Sequence, residues 1–150
     1  TNILRDVGED GRAGRIYLPA DLLVRHGVTA GALAEMRDGR ALVSGDYACL
    51  VEELMRDAEA NYALAFEAIP RLPAFAQRPV AVASHVYRGI HAAIRRNGYD
   101  NLRLRARTTA PEKALLAARA LWHLRAARQA ARGGLPDPSV PFATRAGVLQ

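Results

Sequence analysis

The chain has 150 residues, half of them hydrophobic and 6% aromatic, with a net charge of +6. That length suits one domain with a real core, and abundant Ala and Leu with only short β-branched runs predict an all-α protein. The single cysteine, Cys49, excludes an internal disulfide framework, and no apolar run approaches the roughly 18 residues of a membrane-spanning helix. A helix carrying Asn2, Asp6 and Asp10 opens the chain and should stop between Gly8 and Gly14, where three glycines in seven residues lower helix propensity. Pro19 suits the first turn of a short helix, Ala20 to His26, closed by Gly27, and Thr29 can cap another through Met36.

From the N-cap candidate Ser44 a long amphipathic pattern runs through Tyr47, Leu50, Val51, Leu54, Met55, Ala58, Tyr62, Phe66 and Ile69. Pro70 and Pro73 end it. The next helix spans about Ala74 to Asn97, contains Pro79, carries Arg95 and Arg96 in its last turn and stops at Gly98. After an irregular basic stretch, Pro111 opens a last helix through Leu115, Leu121, Trp122 and Leu124, which fades at Gly133 and Gly134. Residues 133–150, rich in proline, read as a disordered tail.

Charge is unevenly spread. Up to Tyr87 there are nine basic and twelve acidic residues, net −3, and from Arg88 onward twelve and three, net +9. The basic half can attract phosphates or anionic lipid heads, but it lacks the interleaved aromatics of a base-stacking surface, so nucleic acid is not an expected partner. The N-terminus has no signal-peptide pattern and the single cysteine favours a cytoplasmic setting; Trp122 among Arg119, Arg125 and Arg128 reads as a solvated helix end, with peripheral membrane contact as the alternative.

Asn2, Asp6 and Asp10 are spaced four apart, so on a helix their oxygens form one column. Three hard donors suit Mg²⁺, which takes a few carboxylates, keeps several waters and shares a phosphate or diphosphate. A calcium-loop reading fails, because Gly8 and Tyr17 occupy positions that should carry ligands. Glu53 and Asp57 repeat the spacing, but Glu53 lies on the polar side of its helix and reads as solvated. His26, His85, His91 and His123 form no metal-ligand pattern, and the glycines at 8, 11 and 14 do not make a dinucleotide fingerprint, leaving NADPH unsupported.

The segment Asn2 to Asp10 (NILRDVGED) followed by Gly14 to Pro19 (GRIYLP) resembles the second aspartate-rich motif of the squalene and phytoene synthases, the head-to-head prenyl synthases. Two further stretches agree in order and spacing: His85 to Ile90 (HVYRGI), and Asn97 to Asn101 (NGYDN) with Arg105. The resemblance is to phytoene synthases above all and runs from Thr1 to about Leu121.

It implies an isoprenoid-synthase-like helical fold and a Mg²⁺-dependent transferase, with Mn²⁺ as a substitute, of isoprenoid and carotenoid biosynthesis. Two geranylgeranyl diphosphates would be joined head to head into phytoene with release of diphosphate. By resemblance Asn2, Asp6 and Asp10 are the metal ligands, with Asp6, Asp10 and Tyr87 the catalytic set. Asn2, Arg5, Tyr17, Tyr87 and Arg105 would bind substrate, the two arginines through diphosphate oxygens. Residues 1–132 would then be the C-terminal part of such a domain, inactive alone, its missing N-terminal half carrying the first aspartate-rich motif. A squalene or presqualene diphosphate synthase, a non-catalytic relative of the family, and a free-standing basic helical module are the alternatives.

Overall fold

The structure is a computed structural model and describes residues 1–133. Six α-helices make it up: α1 (Asn2–Arg12), α2 (Ala20–Arg25), α3 (Ala30–Arg37), α4 (Gly45–Ala68), α5 (Ala74–Arg96) and α6 (Ala110–Gly133). A single 3₁₀ turn, Ile69–Arg71, joins α4 to α5, and the described residues contain no strand. The expected tail lies outside them, apart from Gly133, which ends α6.

Boundaries follow local chemistry. The hydroxyl of Thr29 accepts from the Ala32 amide at 3.1 Å, and that of Ser44 from the Tyr47 amide at 3.1 Å, each satisfying one of the free donors that open a helix. Gln77 holds the bend after α4 by donating to the carbonyls of Pro70 and Leu72, at 3.0 and 2.7 Å, and its own oxygen accepts from Arg128 of α6.

The first helix ends at Arg12, within the expected stretch from Gly8 to Gly14, and Gly8 is buried inside it. The residue serves a close approach, because a Cβ placed there would lie 2.0 Å from the Leu102 carbonyl oxygen and 2.7 Å from its carbon. Only a bare Cα lets the 101–102 backbone cross α1 at this distance. Gly14, at φ +72°, turns the chain after the helix.

The main core collects Leu4 and Val7 of α1, Leu22, Leu33 and Met36 of the short helices, and the fully buried Tyr47, Leu50, Val51 and Met55 of α4 against Ile90 and Ile94 of α5. Burying each large apolar side chain is worth about 1.5–3 kcal/mol. A second cluster, Ile69, Ala81, Ala120 and Leu124, with Phe66 packed on it, joins α5 to α6 in the most extensive helix pair of the fold. Glu53 is not simply solvated, as its place on the polar face suggested: it pairs with Arg25 at 2.6 Å and His26 at 2.8 Å, tying α2 to α4.

Candidate functional site

The site is built on α1, and three contacts fix that helix. Asn101 donates from Nδ2 to the Leu4 carbonyl at 2.6 Å while its Oδ1 accepts from the buried Tyr47 hydroxyl, also at 2.6 Å. Leu102 follows directly and lies against Gly8. At the N-terminal end, the Thr1 hydroxyl meets Tyr62 Oη and His91 Nε2, each at 3.0 Å, and His91 in turn meets Glu59 at 3.1 Å. Arg95 adds bonds to Glu52 and Glu59 from the next turn of α5.

Held this way, α1 presents Asn2, Asp6 and Asp10 along one open concavity of about 320 Å³, shared with Ile3, Glu9 and Tyr17. Arg5 grips Asp6 with a fork, Nε to Oδ1 at 2.9 Å and Nη2 to Oδ2 at 2.6 Å. From the irregular stretch before α6, Arg105 reaches the same carboxylate through Nε at 3.1 Å and Nη2 at 3.0 Å, and meets Glu9 through Nη1 at 3.1 Å. The hydrogen bond from Arg5, reinforced by the charge of Arg105, holds the Asp6 carboxyl below the usual carboxylate range. Asp10 is freer, its nearest guanidinium being that of Arg15 at 4.0 Å.

Among the three neighbouring arginines of the basic stretch, geometry separates the roles. Arg103 is tied to Asp100 at 2.6 Å, while Arg107 turns to a different cavity of about 260 Å³ that it shares with Arg5, Tyr87, Thr108 and Lys113. Arg105 alone of the three meets the acidic column. Tyr17 borders the column, and Tyr87 stands on the other side of Arg5, both about half exposed. Thus Asn2, Asp6, Asp10, Tyr17 and Arg105 come together, and Arg5 links them to Tyr87.

Sequence reading missed four contributors. Glu9 sits three residues after Asp6 on the same helix, a spacing that marks it as a neighbour. Lys113 and Arg107 gave no local signal, and the Tyr47 to Asn101 bond joins residues 54 apart.

The donor set fits a hard divalent cation bound in an open manner. All candidate ligand atoms in the column are oxygens, and the two carboxylates with Asn2 fall short of a complete shell on their own. Mg²⁺ is held in that open way, by one or two carboxylates with waters and phosphate oxygens completing the shell.

Residues 1–112 match the model of a protein family described as squalene/phytoene synthase. A phytoene synthase of Thermus thermophilus is 43% identical over 116 residues, covering 77% of this chain and 38% of that protein. A second, from Cereibacter sphaeroides, is 34% identical over 152 residues, covering 99% of this chain and 42% of the relative. A solved dehydrosqualene synthase in complex with ligand aligns with a TM-score of 0.71 at 30% identity, over 83% of this chain and 42% of that one. The chain therefore spans well under half the length of the relatives it matches. Its helices adopt the isoprenoid-synthase arrangement, and the chain belongs to the squalene/phytoene synthase family.

Proposed function

We propose that these residues form the second half of the active site of a prenyltransferase resembling phytoene synthase, which condenses two geranylgeranyl diphosphates head to head and releases diphosphate. The observation that carries this reading is the meeting of Arg105 with Asp6 across 99 positions of sequence, which brings a second phosphate-gripping fork onto the acidic column. Asn2, Asp6 and Asp10 would hold Mg²⁺, or Mn²⁺ in its place, and the ion would neutralise charge on the departing diphosphate. NADPH has no part in this reaction.

The remaining work falls to the chain's own side chains. Arg5 and Arg105 grip diphosphate oxygens with paired N–H donors, fixing the leaving group over α1. Ile3 and Tyr17 border the column on its apolar side, and Tyr87 stands at the second cavity beside Arg5, so hydrocarbon lies against rings and aliphatic groups rather than water. The first aspartate-rich motif, facing this one, would come from the N-terminal half of the enzyme.

The test is incubation of the full-length protein with Mg²⁺ and geranylgeranyl diphosphate, with and without NADPH, followed by identification of the hydrocarbon. Phytoene should form without NADPH, and Asp6→Ala should abolish it with helix content unchanged. No condensation product from either C15 or C20 diphosphate would overturn the enzyme reading, and near-normal turnover of Asp6→Ala would remove Asp6 from the metal site. The likeness to a dehydrosqualene synthase favours a second reading, a squalene-type product from C15 substrate, and a parallel incubation with the C15 diphosphate separates the two.

A further inference from the structure

A cavity of about 320 Å³ opens where α5 and α6 pack, and it shares no residue with the column on α1. From α5 it takes Arg88, Ala92 and Arg95, which follow one helical face, whereas Val86, Tyr87 and Ile90 line the separate cavity beside Arg5. Gly89 lets the two helices close here, since a Cβ on it would lie 2.5 Å from the Leu116 side chain of α6. One turn further along α6, Arg119 reaches the same cavity as Arg88.

These two arginines differ from their neighbours in having no partner. Arg95 is taken by Glu52 and Glu59, Arg96 by Glu112 and Arg128 by Gln77. Among the described residues neither Arg88 nor Arg119 meets an acceptor, although both line a concave wall. Glu59, the acid in that wall, is already held by Arg95 and His91. His85 and His123 are occupied with each other at 3.2 Å. Burial, with the charges of Arg88 and Arg119 beside it, holds His85 below its usual range and therefore neutral.

The open charge of the cavity is thus positive and carried by guanidiniums, whose paired N–H donors match phosphate oxygens. A cleft lined by one sign of charge concentrates the opposite one. Leu115 and Trp122, four before and three after Arg119, are both largely exposed, so an apolar group carried by the phosphate has a surface to lie on.

We propose that Arg88 and Arg119 form a second anion site, which takes a phosphate-bearing ligand: free phosphate or diphosphate, or the phosphate headgroup of an anionic lipid. The site stands independently of the reaction proposed for α1. It needs no metal ion, because the protein itself supplies the positive charge.

The experiment uses full-length protein carrying Arg105→Ala, which weakens the grip of α1 on diphosphate, in buffer with a chelator. Inorganic phosphate and diphosphate are titrated by calorimetry, and cosedimentation is measured with vesicles of phosphatidylglycerol or phosphatidylcholine. Binding of the inorganic anions identifies a free ligand, and sedimentation with phosphatidylglycerol but not phosphatidylcholine identifies a headgroup. Adding Arg88→Gln or Arg119→Gln should weaken that binding about tenfold or more, the cost of a lost charge-assisted hydrogen bond. Both side chains are exposed, so neither change threatens the fold. Arg125→Gln removes the same charge from α6 outside the cavity and should leave the affinity unchanged. Binding of no probe, full affinity in either of the first two variants, or an equal loss in Arg125→Gln would overturn the proposal.

Discussion

Replacing Gly8 with alanine sets helix propensity against packing. Propensity alone favours the substitution by about 1 kcal/mol inside a helix. Packing opposes it, because the new methyl would stand 2.0 Å from the Leu102 carbonyl oxygen and 2.7 Å from its carbon, both backbone atoms. The obstacle cannot withdraw freely, since the preceding residue, Asn101, is held by two 2.6 Å hydrogen bonds, to Leu4 and Tyr47. Overpacking costs about 1–3 kcal/mol, and a loosened buried hydrogen bond about 1–3 more. After subtracting the propensity gain, Gly8→Ala should destabilise the protein by about 3 kcal/mol. Gly11, on the same helix, meets only the end of the Arg37 side chain at 3.3 Å, a group that can shift by a few tenths of an ångström while keeping its bond to the Gly11 carbonyl, so Gly11→Ala should stay within about 1 kcal/mol of the parent. Urea unfolding of both variants beside the parent measures the difference. A Gly8→Ala protein as stable as the parent would refute the close approach of residues 101–102 to α1.

Three other substitutions and one titration probe the same frame. Tyr47→Phe leaves the buried Asn101 Oδ1 without its donor and should cost about 1–3 kcal/mol in urea unfolding; a loss under about 0.5 kcal/mol would mean the bond does little. Arg105→Ala should lower kcat/KM of the full-length enzyme by about tenfold to a hundredfold, whereas Arg103→Ala, whose fork is occupied by Asp100, should stay within about threefold. Equal losses would erase the distinction between them. Acid should unfold the α4–α5 clasp. The bond from Arg95 holds Glu52 below its usual range, and at Glu59, although burial opposes it, bonds from His91 and Arg95 prevail in the same direction. Their stability is full at neutral pH and is lost as pH falls below about 4.3 through the lowered native values. Burial lowers His91 too, so its share begins to fall below about 6.5. Melting temperature against pH should therefore drop more steeply in the parent than in a Glu52→Gln, Glu59→Gln double variant; parallel curves would deny the clasp its role.

Much of this architecture is local and was readable as such. Ser44, Thr29, Pro73 and Gly98 mark their helix ends by capping or φ chemistry that depends on a few neighbouring residues. The column of Asn2, Asp6 and Asp10 follows from helical spacing alone. The helix end between Gly8 and Gly14 was local too, but the reason for glycine at position 8 was not, being a backbone 94 residues away. Glu53 misled because its partners Arg25 and His26 sit on another helix. Arg103, Arg105 and Arg107 alternate in sequence with nothing local to rank them, and only the turn at Asp100, which captures Arg103, and the reach of Arg105 to α1 assign their partners. Residue type pointed to the chemistry proposed for the site, and tertiary contacts set the copies of each type apart.

With Asp6 held between Arg5 and Arg105, a solitary cation taking Asp6 must displace two guanidiniums, and a solitary anion arriving at the arginines must displace a carboxylate. A ligand that brings both signs together escapes this conflict: its positive part takes the carboxylate, its negative part takes the guanidiniums, and every displaced charge finds a new partner. Each half then strengthens the binding of the other by an equal factor, as thermodynamic linkage requires. The resting helix thus keeps its charges mutually quenched, and on the proposed function it would favour the ion pair over either ion by itself.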